Sequence, residues 1–498
     1  MKTNLQTINL PKAMKAEHCF KDIELEGVLP DYSPDISRLV RVDAAPYVES
    51  VKCDDKCEIS GRIIFGLLYE SDYKSKLAYT TFQTPFELKC DHTPARESYP
   101  DVKCDCTYLT CRLLGQRKVA VKAKIDAAVS GTQVEDFTVA EPDGGDLNMF
   151  FKTDEITVSV PVARTEATAE IKENIRLDEA VASVIYAQAV FAPAETEAFD
   201  TSASVKSNMA LSALCEMPDG GYKMISKSIP VEVSVKNDAI SGDCNLDALV
   251  DYSELSAVAD LDEYGENKIL NVKCTVRAMA TVRRDNRLVL PVDAFSRKHS
   301  CKCSKSDAVI DMCVLQVGKT VSIERSHATE GDLTSVLGAA SVFEITELHQ
   351  NGGALNIKGK VKTDVLAQSG ESVVSRSYSD EFEDSLPYSG DGEPALIDIS
   401  VFDSKAELYG DTVNIRTMAF IKPEYSEHKQ MNILTSVELG DAEESVGGGF
   451  RFYYPDKDET LWDIAKKYRV DPEKLKNDNA DYLSEDGKLV SKRYLCIK

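Results

Sequence analysis

Two groups of cysteines stand at spacings that could do chemistry: Cys104-x-Cys106 with Cys111, and Cys301-x-Cys303 with Cys313. Residues i and i+2 of a strand share a face, so either pair could aim two thiolates at one metal ion. Neither group has the Cys-x-x-Cys ribbon pattern of a zinc site, so the sequence predicts structural or unpaired thiols and no bound metal. The 14 cysteines are irregularly placed in a chain long enough not to need disulfides. His18, His92, His299, His327, His349 and His428 are scattered singly and are expected at surface or turn positions. No Walker A string, no Gly-x-Gly-x-x-Gly after a strand and no His-Glu-x-x-His occurs. Carboxylates are so abundant that close pairs arise without design, and solvated acidic faces are the expectation. The sequence therefore predicts no catalytic residue, no cofactor and no enzyme.

The elements that would have to position any site read as two kinds. Near the end stands "DETLWDIAKKYRVDPEKLKND", residues 458–478, which holds the chain's single tryptophan, Trp462. Thr460 can cap a helix with Asp463 returning the bond, and Leu461, Ile464, Ala465 and Tyr468 recur at helical spacing. Asp471 and Pro472 open a second helix that carries Leu475. Phe450 to Tyr454 and Arg493 to Ile497 read as flanking strands, giving the order β-α-α-β over residues 450–498. Trp462, at the start of the first helix, can either brace this small core or anchor an interface.

"ETLWDIAKKY", "VDPEKLKNDN" and "YLCIK" resemble a LysM domain, with Asp458-Glu459-Thr460 where the family usually has Gly-Asp-Thr. The resemblance implies a contact surface in the loops beside the two helices. These hold Asp458, Glu459, Thr460, Leu461 and Trp462 on one side and Asn477, Asn479, Ala480 and Asp481 on the other. LysM domains commonly bind N-acetylglucosamine polymers there. Asn and Asp could equally cap the second helix.

The rest of the chain repeats. "SPDISRLVRVDAAPYVESVKCDDKCEISGRIIFGLLYES" lines up loosely with segments beginning at Leu177 and at Gly331, each a strand, a polar turn and an alternating strand. A third strand follows each, then further alternating strands, in the first of which Val119, Val121, Ala123 and Ile125 share one face. Turn signals at "PDGG", "NGG" and "SGDGEP" separate the strands. The period suits tandem domains rather than a solenoid. The predicted fold is mainly β: three tandem antiparallel β-sandwich-like repeats followed by a small βααβ domain. Boundaries are expected at 1–155, 156–313 and 314–439, with an acidic, glycine-rich tether over 440–449 and the last domain over 450–498. Segments 155–171 and 314–326 look extended and could belong to either neighbour. Short helices are expected near Asp35–Leu39 and Asp247–Leu255.

The formal charge is −25, and residues 450–498 carry 11 basic and 10 acidic side chains, so the acidity lies in the β repeats. Nucleic-acid binding through a broad basic footprint is excluded. No apolar run is long enough to span a membrane, and the N-terminus lacks a signal-peptide h-region, so a cytoplasmic location is expected.

The phrase Pro30-Asp31 followed by Pro34-Asp35-Ile36 resembles the start of the SPOCS domains of endospore-forming bacteria. Three such repeats with a C-terminal LysM resemble the family of SipL-like spore coat morphogenetic proteins. That resemblance implies a scaffold in the mother cell at the forespore surface. Its partners would be the coat basement-layer ATPase and other coat proteins, with self-association possible. The alternative is a peptidoglycan-binding protein of the spore cortex or cell wall.

Overall fold

The computed structural model describes residues 4–497 apart from 54–55, 74–75, 91–96, 143–147, 316–317, 330, 389–393, 395, 443–448, 457–458 and 481–493. "SGDGEP" lies almost wholly outside the described residues, as do Asp458 and Asp481.

The alternating segments are strands, and they build the same two-sheet unit three times. The first unit holds β1 (Leu5–Ala13), β2 (Glu17–Val28), β3 (Ile36–Cys53), β4 (Cys57–Ser71), β5 (Leu77–Cys90), β6 (Glu97–Gly115) and β7 (Lys118–Ala140). The second holds β8 (Met149–Arg176), β9 (Ser183–Phe191), β10 (Glu195–Ala198), β11 (Ser202–Glu216), β12 (Tyr222–Lys236), β13 (Asn245–Asp260) and β14 (Ile269–Ser296). The third holds β15 (His299–Leu315), β16 (Lys319–Ala328), β17 (Ser335–Asn351), β18 (Ala354–Ser369), β19 (Ser372–Pro387), β20 (Leu396–Tyr409) and β21 (Thr412–Ala442).

One sheet of each sandwich is a meander: β3-β4-β5, then β9 and β10 with β11-β12, then β17-β18-β19. The facing sheets are β6-β7-β2, β13-β14-β8 and β20-β21-β16. All pairings are antiparallel, which suits strands that carry apolar residues on alternate positions. Val119, Val121, Ala123 and Ile125 are all buried, as the alternation predicts.

Two helices expected from the sequence are strands instead. Asp247–Leu255 lies within β13, and Ile36–Leu39 opens β3. Each stretch contains a β-bulge, at Tyr252/Glu254 and at Ile36/Arg38 with Leu39/Arg41. An extra residue in one strand breaks the two-residue alternation, and the resulting apolar spacing imitates a helix. The Pro30–Ile36 phrase is a turn clasped by Arg117, which donates to the carbonyls of Pro30 (2.8 Å) and Ser33 (3.0 Å) and pairs with Asp35.

The extended segments between repeats are long strands that run through the expected boundaries. β8 passes through 155/156, β15 through 313/314, and β21 continues past 439 to Ala442. These strands overrun the sandwiches as ribbons: β1 pairs the end of β7, the start of β8 pairs the end of β14, and β15 pairs the end of β21. The three ribbons meet in a shared hub core. Leu10 and Val139 come from the first, Ile156, Val158, Leu288 and Leu290 from the second, and Ile310, Met431 and Ile433 from the third.

The three meander sheets also meet one another. Leu68, Leu214 and Leu366, at equivalent places near the ends of β4, β11 and β18, lie in one buried cluster with Leu77, Tyr186, Leu337 and Val373. Each unit's last meander strand neighbours the next unit's first: β5 beside β9, β12 beside β17, and β19 back beside β3. The repeats therefore close around a pseudo-threefold axis instead of trailing along a line.

Polar contacts lock these junctions. Glu70 accepts the Val373 N–H (3.2 Å), while Arg38 donates to the Val373 carbonyl (2.9 Å) and pairs with Glu70. Glu424 of β21 accepts from the Ser130 hydroxyl (2.9 Å) and the Gly131 N–H (3.2 Å) of β7. Gly131 has φ +124°, and a Cβ there would run into the Tyr99 carbonyl, so this backbone crossing requires glycine.

Burial, followed by the nearby Asp101 carboxyl, pushes Glu424 up to about 7 despite those two donors. Its folded pKa lies above the unfolded one, so its contribution to stability is whole in acid and is lost as pH rises through about 7. Glu424→Gln should therefore be more stable than the wild type above that pH, by up to about 3 kcal/mol, with the gap narrowing toward pH 4. Urea unfolding at several pH values checks this. A gap independent of pH would contradict it.

Candidate functional site

The C-terminal module is β22 (Arg451–Tyr453), α1 (Leu461–Tyr468), α2 (Pro472–Asp478) and β23 (Leu495–Ile497), with β22 antiparallel to β23. Its helices form where the caps predict. Thr460 and Asp463 make a reciprocal capping box, Asp471 accepts from the N–H groups of Glu473 and Lys474, and Pro472 opens α2. Arg469 ends α1 in the left-handed region, φ 55°. Ile464, Ala465, Leu475, Leu495 and Ile497 form the core.

That core is completed from outside. Phe295 of β14 is buried in it, with the Phe150 ring of β8 tilted beside it at 5.3 Å between centroids. Trp462 meets Phe295 edge-on at 5.1 Å between centroids, and its indole N–H donates to Asp293 at 2.8 Å. Lys466, one turn further along α1, reaches both Asp293 oxygens at 2.8 Å. Burial alone would raise the Asp293 carboxyl, but the bonds from Lys466 and Trp462 hold it below its ordinary value. An ionised Asp293 is what both donors require. Trp462 thus anchors an interface inside the chain, and α1 is docked on the hub end of the second repeat.

The residues expected to contact a partner divide accordingly. Thr460 is spent on the capping box. Glu459 accepts from the Tyr453 hydroxyl (2.7 Å) and pairs with Lys467. Leu461 and Trp462 pack on the core and Phe295. Asn479 is buried: its amide donates to the Leu475 and Cys496 carbonyls (both 2.8 Å) and its oxygen accepts the Cys496 N–H (2.6 Å), tying α2 to β23. Asn477 and Ala480 remain exposed. Asp458 and Asp481 lie outside the described residues.

A different surface stands open. Phe450, Phe452, Tyr454 and Tyr494 are all exposed, and the Tyr494 ring packs edge-on against Phe452 (4.9 Å) and Tyr454 (6.0 Å). The signal was legible: aromatic side chains at 450, 452 and 454 alternate on one strand face.

Five of the six cysteines that drew attention in the sequence are packed against apolar cores, and the side chain of Cys313 lies outside the described ones. Cys104, Cys106 and Cys111 of β6 line the first sandwich, and Cys301 and Cys303 of β15 lie against the Ala140, Ala294, Leu434 and Val437 cluster. Burial pushes the Cys104 thiol up to about 12, far from thiolate character. The structure instead forms two disulfides in the first repeat, Cys19–Cys90 and Cys53–Cys57, where the sequence predicted none. Folding brings these residues onto neighbouring strands, which linear spacing does not show. No group of three His, Cys, Asp or Glu among the described residues is arranged to hold a metal ion. The described histidines pair locally, such as His18 with Asp126 (3.0 Å) and His327 with Asp380 (2.9 Å).

No helix among the described residues is long and apolar enough to cross a membrane. No curated protein and no solved structure matches the chain. The family model of the LysM domain matches residues 456–498. The small helical module docked through Trp462 on a three-repeat β body is therefore a LysM domain.

Proposed function

We propose that this chain is a non-enzymatic scaffold of endospore formation, acting in the mother cell at the forespore surface. Its LysM domain would hold the coat basement-layer ATPase, and its β repeats would hold other coat components. The resemblance of the repeats to SPOCS domains motivates the cellular setting. The observation that carries the scaffold reading is the docking of α1 on Asp293 and Phe295. A module fixed on a closed three-repeat body presents two partner surfaces in one geometry, which raises the effective concentration of one partner near the other. Within the LysM, the exposed aromatic row of Phe450, Phe452 and Tyr454 offers the apolar anchors that protein contacts favour. Removing residues 450–498 should abolish recruitment to the forespore, read by fluorescence microscopy of a tagged chain. Undisturbed recruitment would refute the proposal.

A LysM domain suggests binding of peptidoglycan or another carbohydrate, and the family match over 456–498 favours this second reading. Exposed aromatic rings serve sugar faces as well as apolar side chains. Sedimentation with insoluble peptidoglycan separates the two: retention that disappears with residues 450–498 supports the glycan reading, and no retention supports the protein-binding one.

A further inference from the structure

The two disulfides are not separate features. Cys57 of β4 lies directly opposite Cys53 of β3 on one side and directly opposite Cys90 of β5 on the other. Directly opposed residues of an antiparallel ladder project to the same face. Cys57 and Cys90 are 0% and 2% exposed, so this face is the inner one of the first sandwich. Cys19 meets Cys90 there from β2 of the facing sheet, their Cα atoms 5.6 Å apart.

A central strand hydrogen-bonds to its two neighbours at alternate residues, so a residue in a close, non-hydrogen-bonded pair on one side makes a wider, hydrogen-bonded pair on the other. Cys57 makes the close kind with Cys53, their Cα atoms 4.1 Å apart. Its pair with Cys90 is then the wider kind, with Cα atoms about 5.5 Å apart, well inside the usual span of a disulfide. Cys53 and Cys90 themselves are two strand spacings apart, about 9–10 Å, and cannot bond. The four cysteines thus form a row, Cys53, Cys57, Cys90, Cys19, in which each stands within bridging distance of the next. The two outer members are partly exposed and the two inner ones are sealed in the core.

We propose that this row is a redox switch with a half-reduced state, in which the outer bonds Cys53–Cys57 and Cys19–Cys90 give way to an inner Cys57–Cys90 bond. A small thiol can reach Cys53 but not the sealed sulfurs. Its thiolate bonds to the Cys53 sulfur, the Cys53–Cys57 bond breaks, and the electron pair leaves on Cys57. The Cys57 thiolate then attacks the Cys90 sulfur. The Cys19–Cys90 bond breaks with its electron pair leaving on Cys19, which takes a proton from solvent. A second thiol attacks the reductant's sulfur in the mixed disulfide and frees Cys53, which is protonated in turn. Two reductant thiols are oxidised to one disulfide, while the chain keeps one bond and gains two thiols. Only the oxidised form ties β2 covalently to the β3-β4-β5 sheet, and the half-reduced form moves the bond into that sheet. The first sandwich therefore loses the tie between its sheets after one two-electron step, without a reductant entering the core.

The test oxidises the full chain, treats it with graded dithiothreitol, quenches in acid, alkylates the free thiols and maps the disulfides by mass spectrometry. The half-reduced chain should carry label on Cys19 and Cys53 and yield a peptide pair joined through Cys57 and Cys90. Cys57→Ser should slow reduction of Cys19–Cys90 by about tenfold or more, because the exchange route is gone. Cys215→Ser, which removes a buried thiol of the second repeat, should leave that rate unchanged. Should Cys57→Ser fail to fold, the wild-type map decides. A half-reduced chain that keeps either outer bond, an unchanged rate in folded Cys57→Ser, or an oxidised chain without the two outer bonds overturns the proposal.

Discussion

Leu214→Asp is expected to break the closed ring of repeats. Leu214 is fully buried where the three meander sheets meet, in the cluster that holds Leu68 and Leu366. Removing a buried leucine side chain to alanine costs about 2–5 kcal/mol, because a cavity is left as well as transfer energy lost. An aspartate costs more, since its carboxylate would sit in an apolar cluster without a cation to pair it. The effect should appear first as loss of the inter-repeat contact, because the core of the second sandwich lies on the opposite face of β11, where Met209, Leu211 and Ala213 point. A lower first thermal transition by circular dichroism and a larger radius of gyration by X-ray scattering are the expected readouts. Leu249→Asp, at a half-exposed position of β13, serves as control and should change stability by no more than about 0.5 kcal/mol. A Leu214→Asp chain that melts and scatters like the wild type would show that the ring contact carries little energy.

The second large effect is on LysM docking, and the chain provides its own reporter. Trp462 is the single tryptophan, so its emission reports on this interface alone. Asp293→Ala removes the acceptor of both the indole N–H and the Lys466 ammonium. A hydrogen bond to a charged group contributes about 1.5–3 kcal/mol, and the Lys466 contribution is reduced because its side chain is 43% exposed. Phe295→Ala should cost more, about 3–5 kcal/mol, since that ring is buried in the LysM core itself. Both variants should shift Trp462 emission to longer wavelength and open it to acrylamide quenching, Phe295→Ala more strongly. Asp293→Ala should leave the LysM fold intact, because Ile464, Ala465, Leu475, Leu495 and Ile497 do not depend on that carboxylate. Unchanged emission and quenching in Asp293→Ala would mean that the docked geometry does not persist in solution.

Several features could be read without coordinates because they follow from local rules. Period-two alternation marked β4, β7, β11 and β18, since a strand buried on one face must place apolar residues there and nowhere else. The capping box at Thr460 and the Asp471-Pro472 start fixed the two helices for equally local reasons. Where a local rule was broken by a bulge, as in β13 and the start of β3, the period misled and a helix was expected in place of a strand.

One non-local clue was present but went unread. Leu67-Leu68, Ala213-Leu214 and Val365-Leu366 break the alternation at the same place in each repeat, putting a leucine on the second face. A second buried face means a second neighbour, which is the ring contact.

The amino-acid sequence by itself determined the mainly β class of the body, the threefold repetition, the βααβ order of the last module and the separation of charge between body and module. All of these depend on side chains within a few residues of one another. Only the tertiary structure decided that the repeats close into a ring and that their long strands share a hub. Only it turned Trp462 inward onto Asp293 and gathered Cys19, Cys53, Cys57 and Cys90 into one cluster. Those outcomes rest on contacts between residues tens to hundreds of positions apart, whose pairing is fixed by strand register and by which faces remain to be buried once each sandwich has formed.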